Sequence, residues 1–321
     1  MILVGLVRLI LNLLRELTKL PVNRWLSLKK DLMVVTAFQC FSLVFQLLPR
    51  RIVLILGKWI GNFSYIVFRR RRQIAMTNLN IAFAGKISDQ EIQRICRKTF
   101  QGLGKNLAEF LQFPRLTNEN IWNLVNVEGK ENLDAALSQG KGAIIFAPHF
   151  GNWELTGLVT GVLIPNRIKA IVFELRNERL NQLVWKYRQH LSAELIPKRK
   201  AIRRTILALK QNCAIGFFAD QDAGGSGVFV DFFGKPASAV RSPMILALKT
   251  GAPILFSVCI RQPNDQHLVK IYEPFDIKIS DSFEYDVQYN TERLLKILEN
   301  EIRCYPDQWL WLHNRWKTQP S

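Results

Sequence analysis

Two long apolar stretches, "LMVVTAFQCFSLVFQLL" (32–48) and "IVLILGKWIGNFSYIVF" (52–68), precede a region in which strand and helix patterns alternate. Each stretch has 17 residues, about 25 Å as a helix against a hydrocarbon core of about 30 Å. Gln39, Gln46 and Lys58 interrupt them. One short span and a pair of helices lying in a membrane interface are both open readings. Residues 1–14 are also apolar, but Arg8 sits mid-run and neither a charged start nor an A-x-A site is present. That argues against a removable signal peptide.

Beyond "RRRR" (69–72) the pattern changes. Ser88 and Glu91 spell an S-x-x-E capping box ahead of helical periodicity. "GAIIFAP" (142–148) then reads as a buried strand and "NWELTGLVTGVL" as a helix. "KAIVFE", "AELIP" and "CAIGFFAD" read as strands separated by the helices "NERLNQLVWKYRQHL" and "KAIRRTILALKQ". A helix "SPMILALKTG", stopped by Gly251, leads to strands "PILFSVCI" and "HLVKIY", and a last amphipathic helix covers about 286–303. Such alternation predicts an α/β fold with a largely parallel central sheet flanked by helices. With no internal repeat or low-complexity linker, the expected division is 1–68 as a membrane-associated helical region and 69–321 as one domain carrying the chemistry.

Charge sharpens the reading of the first region. The formal net charge is +18, and residues 1–80 hold 13 Lys and Arg against only Glu16 and Asp31. Basic residues bracketing apolar runs suit an anionic membrane surface, whereas nucleic acid calls for basic, polar arms. The expected partner is therefore an anionic membrane and not nucleic acid; a buried helical pair with solvated ends is the other reading. Five cysteines lie 45 or more residues apart without a C-x-x-C, which suggests neither a zinc site nor a disulfide framework.

The candidate chemistry centres on "FAPHFGNWELTG" (146–157). His149 directly follows a predicted strand, at the carboxyl end where α/β sheets gather their sites. Gly151 permits a tight turn and Asn152 is a good N-cap, which would let Glu154 in the first helical turn meet the imidazole. A carboxylate on one ring nitrogen fixes the tautomer and makes the other nitrogen a general base for an alcohol. The plain alternative is a histidine hydrogen-bonded at a helix start, with Glu154 favoured there by the helix dipole. H-E-x-x-H and G-x-S-x-G are absent, so neither a metal, a cofactor nor an enzyme nucleophile is expected. Asp220 and Asp222 follow a second strand, either binding a polar headgroup or forming an Asx-turn. Arg241 precedes a helix start, where it meets a phosphate or serves as a surface charge. "VFVDFFG" lines an acyl groove or packs in the core. "QWLWLHNRWK" anchors at a membrane interface or folds back onto the core.

"PHFGNWEL" resembles the H-x-x-x-x-D/E motif of the lysophospholipid acyltransferase superfamily, and more closely the lipid A biosynthesis (lauroyl/myristoyl-type) acyltransferases and their phosphatidylinositol mannoside relatives. "RRRRQIAMTNLNIAF", "VEGKENLDAAL", "LRNERLNQL", "FFADQDAGGSGVFVDFFGKPA" and "YPDQWLWLHNRWK" extend the resemblance over roughly 69–317, in the family's order. The resemblance implies transfer of an acyl chain from acyl carrier protein or acyl-CoA to a hydroxyl of a glycolipid, at the cytoplasmic face of an inner membrane. His149 would be the base and Glu154 its orienting partner, with substrate contacts from Asn152, Asp220, Asp222 and Arg241. Relatives carry an arginine just before the segment matching "LRN"; here Phe173 and Glu174 stand nearby, which leaves Arg176 or Arg179 to contact substrate. Acylation of a lysophospholipid and a non-catalytic membrane scaffold are the competing functions.

Overall fold

The computed structural model describes residues 24–320; the apolar segment 1–14 lies outside the described residues. Four helices come first: α1 (Arg24–Leu47), α2 (Arg50–Val67), α3 (Arg69–Phe83) and α4 (Asp89–Gln112). The Ser88 hydroxyl accepts the Glu91 N–H and starts α4, as the S-x-x-E spacing predicts, while the Glu91 carboxylate turns instead to Arg94. Helices α2 and α4 meet backbone to backbone. A Cβ on Gly104 would lie 2.1 Å from the Gly57 oxygen, and one on Gly61 2.3 Å from the Phe100 oxygen, so only glycine permits this approach. Residues on both sides of position 68 thus form one packed unit.

The remaining elements alternate: β1 (Val125–Glu128), α5 (Lys130–Ser138), β2 (Ala143–Phe146), α6 (Trp153–Leu163), β3 (Ile168–Val172), α7 (Glu178–Arg188), β4 (Glu194–Pro197), α8 (Ala201–Lys210) and β5 (Ala214–Phe217). A hairpin of β6 (Val228–Phe232) and β7 (Lys235–Ala239) follows, then α9 (Ser242–Thr250), β8 (Ile254–Arg261), β9 (His267–Pro274) and α10 (Phe283–Cys304). Seven strands form one sheet in the order β1-β9-β8-β2-β5-β3-β4, parallel except for the β8–β9 pair. The exception has a local cause: only five residues separate β8 from β9, enough for a turn but not for a crossover.

Alternation along the central strands builds a core on each face. In β2, Ile144 and Phe146 join one buried cluster, while Ala143 and Ile145 join the other. In β8, Ile254, Phe256, Val258 and Ile260 face the first cluster and Leu255 and Cys259 the second. Strands buried on both faces read as continuous apolar runs, which is why they stood out in the sequence.

The β6–β7 hairpin falls outside the main sheet, and Val230, Phe232 and Phe233 of "VFVDFFG" are buried in the first core cluster. The C-terminal segment also folds back. Trp309, Trp311 and Trp316 are buried, and Trp309 and Trp311 meet edge to face at 4.7 Å. Among the described residues no single helix is long and apolar enough to cross a membrane.

Candidate active site

Strands β2 and β5 are parallel neighbours in register, with Phe146 beside Phe217. Three residues past each lies a functional group, His149 and Asp220. This register carries a histidine and a carboxylate 71 residues apart to the same sheet edge, where loops of an α/β sheet form sites. His149 Nδ1 lies 2.7 Å from Asp220 Oδ1, and the His149 backbone N–H donates to Asp220 Oδ2 at 2.9 Å. The Trp309 indole N–H donates to the same Oδ2 at 2.9 Å. With a carboxylate facing Nδ1, that nitrogen carries the proton and Nε2 is left with its lone pair. Burial pushes the Asp220 pKa upward, but the His149 charge and hydrogen bonds and the Trp309 donor outweigh it, so the group sits below the ordinary Asp value. The imidazole packs between Trp153 and Phe218, with ring centroids 5.4 and 5.3 Å away.

Glu154 is not the carboxylate on this imidazole. Both its oxygens accept from Arg188 of α7, Oε2 from Nε at 2.8 Å and Oε1 from Nη2 at 2.6 Å. A planar guanidinium offering two parallel donors outcompetes a single ring N–H for one carboxylate. Burial raises the Glu154 pKa, but Arg188 reverses this and holds it below the usual value. Glu154 and Arg188 nonetheless stay near the chemistry. With His149, Trp153, Gly157, Ala170, Phe173, Ala193, Leu195, Phe218 and Gln221 they line a cleft that is partly open to solvent. Most of its wall is apolar, and His149, Glu154, Arg188 and Gln221 are its polar side chains.

Asn152 precedes α6, but its side chain makes no cap hydrogen bond. Its amide Nδ2 donates instead to Glu109 Oε2 at 2.8 Å, in a buried network that sequence reasoning missed. Glu109 also accepts from Arg50, Arg261 and His267, and Asn106 bridges from Arg261 to the Gly151 carbonyl. Gly151 itself has φ +53°, and a Cβ there would lie 1.7 Å from the Cys259 oxygen. Desolvation raises the Glu109 pKa, yet Arg261 and His267 bring it well below the carboxylate range. The network fixes the histidine loop from behind. Its members lie on α2, α4, β8 and β9, so no local spacing announces it.

The other expected contacts lie elsewhere. Asp222 accepts from the Gly224 N–H in the anticipated Asx-turn and from Thr318 Oγ1 at 3.0 Å, pinning the C-terminal segment. Arg241 pairs with Glu284 at 3.3 Å and makes no side-chain cap hydrogen bond at the start of α9. Arg176 is exposed and does not line the cleft. The Phe150 and Gly151 N–H groups are taken by Pro148 and Gln308 carbonyls, so neither serves as an oxyanion donor. Cys259, behind the loop, is pushed up to about 12 by burial and remains a thiol. Among the described residues no group of three His, Cys, Asp or Glu is arranged to hold a metal ion.

The model of one protein family, bacterial lipid A biosynthesis acyltransferase, matches residues 24–318. The lipid A biosynthesis palmitoleoyltransferase of Escherichia coli is 28% identical over 275 residues, covering 85% of this chain and 87% of its own. The lipid A biosynthesis lauroyltransferase of the same organism is 27% identical over 276 residues, 85% of this chain and 88% of its own. The phosphatidylinositol mannoside acyltransferase of Mycobacterium tuberculosis is 27% identical over 224 residues, 68% of this chain and 69% of its own.

Proposed function

The chain belongs to the family of bacterial lipid A biosynthesis acyltransferases, and from that premise we propose that it moves a fatty acyl chain from a thioester to a hydroxyl of a lipid A-like glycolipid. The observation that carries the mechanism is His149 Nδ1 held 2.7 Å from the buried Asp220, at the head of a largely apolar cleft. His149 Nε2 takes the proton of the acceptor hydroxyl as its oxygen bonds to the thioester carbonyl carbon. The tetrahedral intermediate then expels the thiolate, which receives the proton from the imidazolium. No enzyme nucleophile is required, and the buried Cys259 thiol offers none. Asp220 fixes the tautomer and stabilises the imidazolium. The Arg188 guanidinium, held by Glu154, and the Gln221 amide are the donors available to the carbonyl oxygen as it gains charge, and the apolar wall suits the acyl chain.

We also assign residues 1–68 to a membrane surface. Phe41, Leu43, Leu47, Trp59, Phe63 and Ile66 project from α1 and α2 with 59–83% of their surface exposed, among Arg51, Lys58, Arg69 and Arg70. Exposed apolar side chains interspersed with basic ones suit an anionic lipid surface. Helix α1 is tied to α7 through the Ser42–Tyr187 hydrogen bond of 2.7 Å, next to the pocket residue Arg188. That contact supports a cleft placed near the membrane surface on which the glycolipid acceptor lies. The expected location is the cytoplasmic face of the inner membrane, where acyl carrier protein or acyl-CoA is at hand.

The test is an assay of purified protein in detergent. It offers labelled acyl-acyl carrier protein and acyl-CoA to a lipid A-type glycolipid, a phosphatidylinositol mannoside and a lysophospholipid. Acylation of the glycolipid is the expected result. Acylation of the lysophospholipid alone would move the function to the competing branch, and turnover of no pair would overturn the assignment.

A further inference from the structure

We infer that the C-terminal segment is a working part of the active site, with Trp309 the positioning residue that holds Asp220 against His149. The inference rests on the reading of His149 as the base. Two hydrogen bonds tie residues 308–310 to the histidine loop, and a third, from the Trp309 indole, reaches Asp220. The Leu310 N–H donates to the His149 carbonyl at 3.1 Å, and the Gln308 carbonyl accepts the Gly151 N–H at 2.8 Å. Between them the Trp309 N–H donates to Asp220 Oδ2 at 2.9 Å. Residues 309 and 150 thereby pair as an isolated antiparallel bridge. A segment 160 residues downstream holds the loop by its backbone and the orienting carboxylate by a side chain.

The packing accounts for the precision of this contact. The Trp309 indole is only 2% exposed, set at 5.7 Å from Phe232 and 4.7 Å from Trp311. Gln308 is locked in turn, its amide exchanging hydrogen bonds of 2.8 Å with the Arg261 backbone N–H and carbonyl at the end of β8. Asp220 therefore receives its third donor from a rigid group. A carboxylate with donors on Oδ2 keeps Oδ1 turned toward Nδ1, and its negative charge is partly spread into the indole N–H.

Removing that donor changes two things at once. The carboxylate loses one of the bonds that orient it, and its charge becomes more concentrated opposite the imidazole. A stronger negative charge favours imidazolium. The other charged groups around the pair are His313 and Arg315 from the same C-terminal segment, Asp222, and Glu154 with its Arg188. None of them changes in the test below.

Trp309→Phe keeps the aromatic packing and deletes the N–H. A benzothienylalanine at 309, with sulfur in place of the N–H, does so at nearly unchanged volume and serves if the phenylalanine variant misfolds. The expected result is a kcat lower by about 5- to 50-fold with KM unchanged, and an acid limb of kcat moved to higher pH by roughly 0.5 to 1 unit. The His149 imidazole, followed by NMR of 15N-histidine-labelled protein, should titrate at correspondingly higher pH. Loss of packing alone would lower Tm without moving that titration. An imidazole titration and a kcat identical to the unmodified protein's would overturn the inference. His149→Gln separates the two readings. If it abolishes turnover while the Trp309 variants leave the imidazole untouched, the base stands and the positioning role falls. If the imidazole shifts but turnover ignores both substitutions, the contact stands and the base assignment falls.

Discussion

Asp220→Asn isolates the charge that the structure places on His149. Oδ2 of Asp220 receives two donors, the His149 backbone N–H and the Trp309 indole, while Oδ1 faces Nδ1 alone. An asparagine keeps those two donors satisfied only by putting its carbonyl oxygen at the Oδ2 position. Its NH2 then points at Nδ1, which must become an acceptor. The ring proton moves to Nε2, and the base is in the wrong tautomer. In serine proteases the equivalent loss is about 10,000-fold in kcat. With general-base catalysis contributing about 100- to 10,000-fold, the expected fall here is roughly 1,000-fold or more, about 4 kcal/mol or above. Size and two hydrogen bonds are conserved, so Tm should move little. Glu154→Gln behaves in the opposite way. It leaves the buried Arg188 guanidinium without its counter-charge, which costs roughly 3–5 kcal/mol of stability, with a smaller effect on kcat per folded molecule. The assay is steady-state acyl transfer paired with thermal unfolding for both variants. A folded Asp220→Asn protein retaining more than a tenth of kcat would refute the orienting role. Greater loss of kcat in Glu154→Gln at matched folded fraction would return that role to Glu154.

Acid should weaken the fold in two stages. Burial holds His313 down to about 4 and lowers His267 below 6.5, so their contributions are complete above pH 6.5 and are lost as pH falls through the folded values. His313 alone accounts for up to roughly 3 kcal/mol. Glu109, Glu154 and Asp220, all held below their ordinary values, keep their contributions above about pH 4.5 and lose them below it. Denaturant unfolding at pH 7 and 4.5 checks this, and His313→Gln should shrink the difference between the two. Gly151→Ala should abolish folding or activity, since the Cβ meets a backbone oxygen at 1.7 Å with φ +53°; near-normal Tm and kcat would show that the loop has room to shift. Replacing Trp59, Phe63 and Ile66 by serine should release the protein from anionic vesicles, at about 1.5–3 kcal/mol of lost burial per side chain. Unchanged co-sedimentation would discard that face as the docking surface.

The alternation of strands and helices was legible because strands buried on both faces spell apolar runs, as in "GAIIFAP" and "PILFSVCI". Gly251 and Ser88 marked helix ends by local chemistry alone. The place of the His149 loop was legible for the same reason, its position after a strand being a one-dimensional property. The carboxylate that meets the imidazole was not. Glu154 is five residues from His149 and Asp220 is 71, but the pairing of β2 with β5 makes the distant residue the neighbour. Arg188, 34 residues on, takes Glu154 away. Trp309 and the Glu109 network were hidden for the same cause, since strand order is not written in spacing. That the apolar runs ending at Phe146 and Phe217 are each followed three residues later by a polar group was the available signal for the His149–Asp220 pair.

The central claim is that His149 removes the proton of the acceptor hydroxyl. Its most direct test is kcat for His149→Ala, measured on folded protein with an acyl thioester and a lipid A-type acceptor. The expected loss is about 100- to 10,000-fold with little change in KM, because proton removal develops only in the transition state. A folded variant with more than half of the original kcat would contradict it.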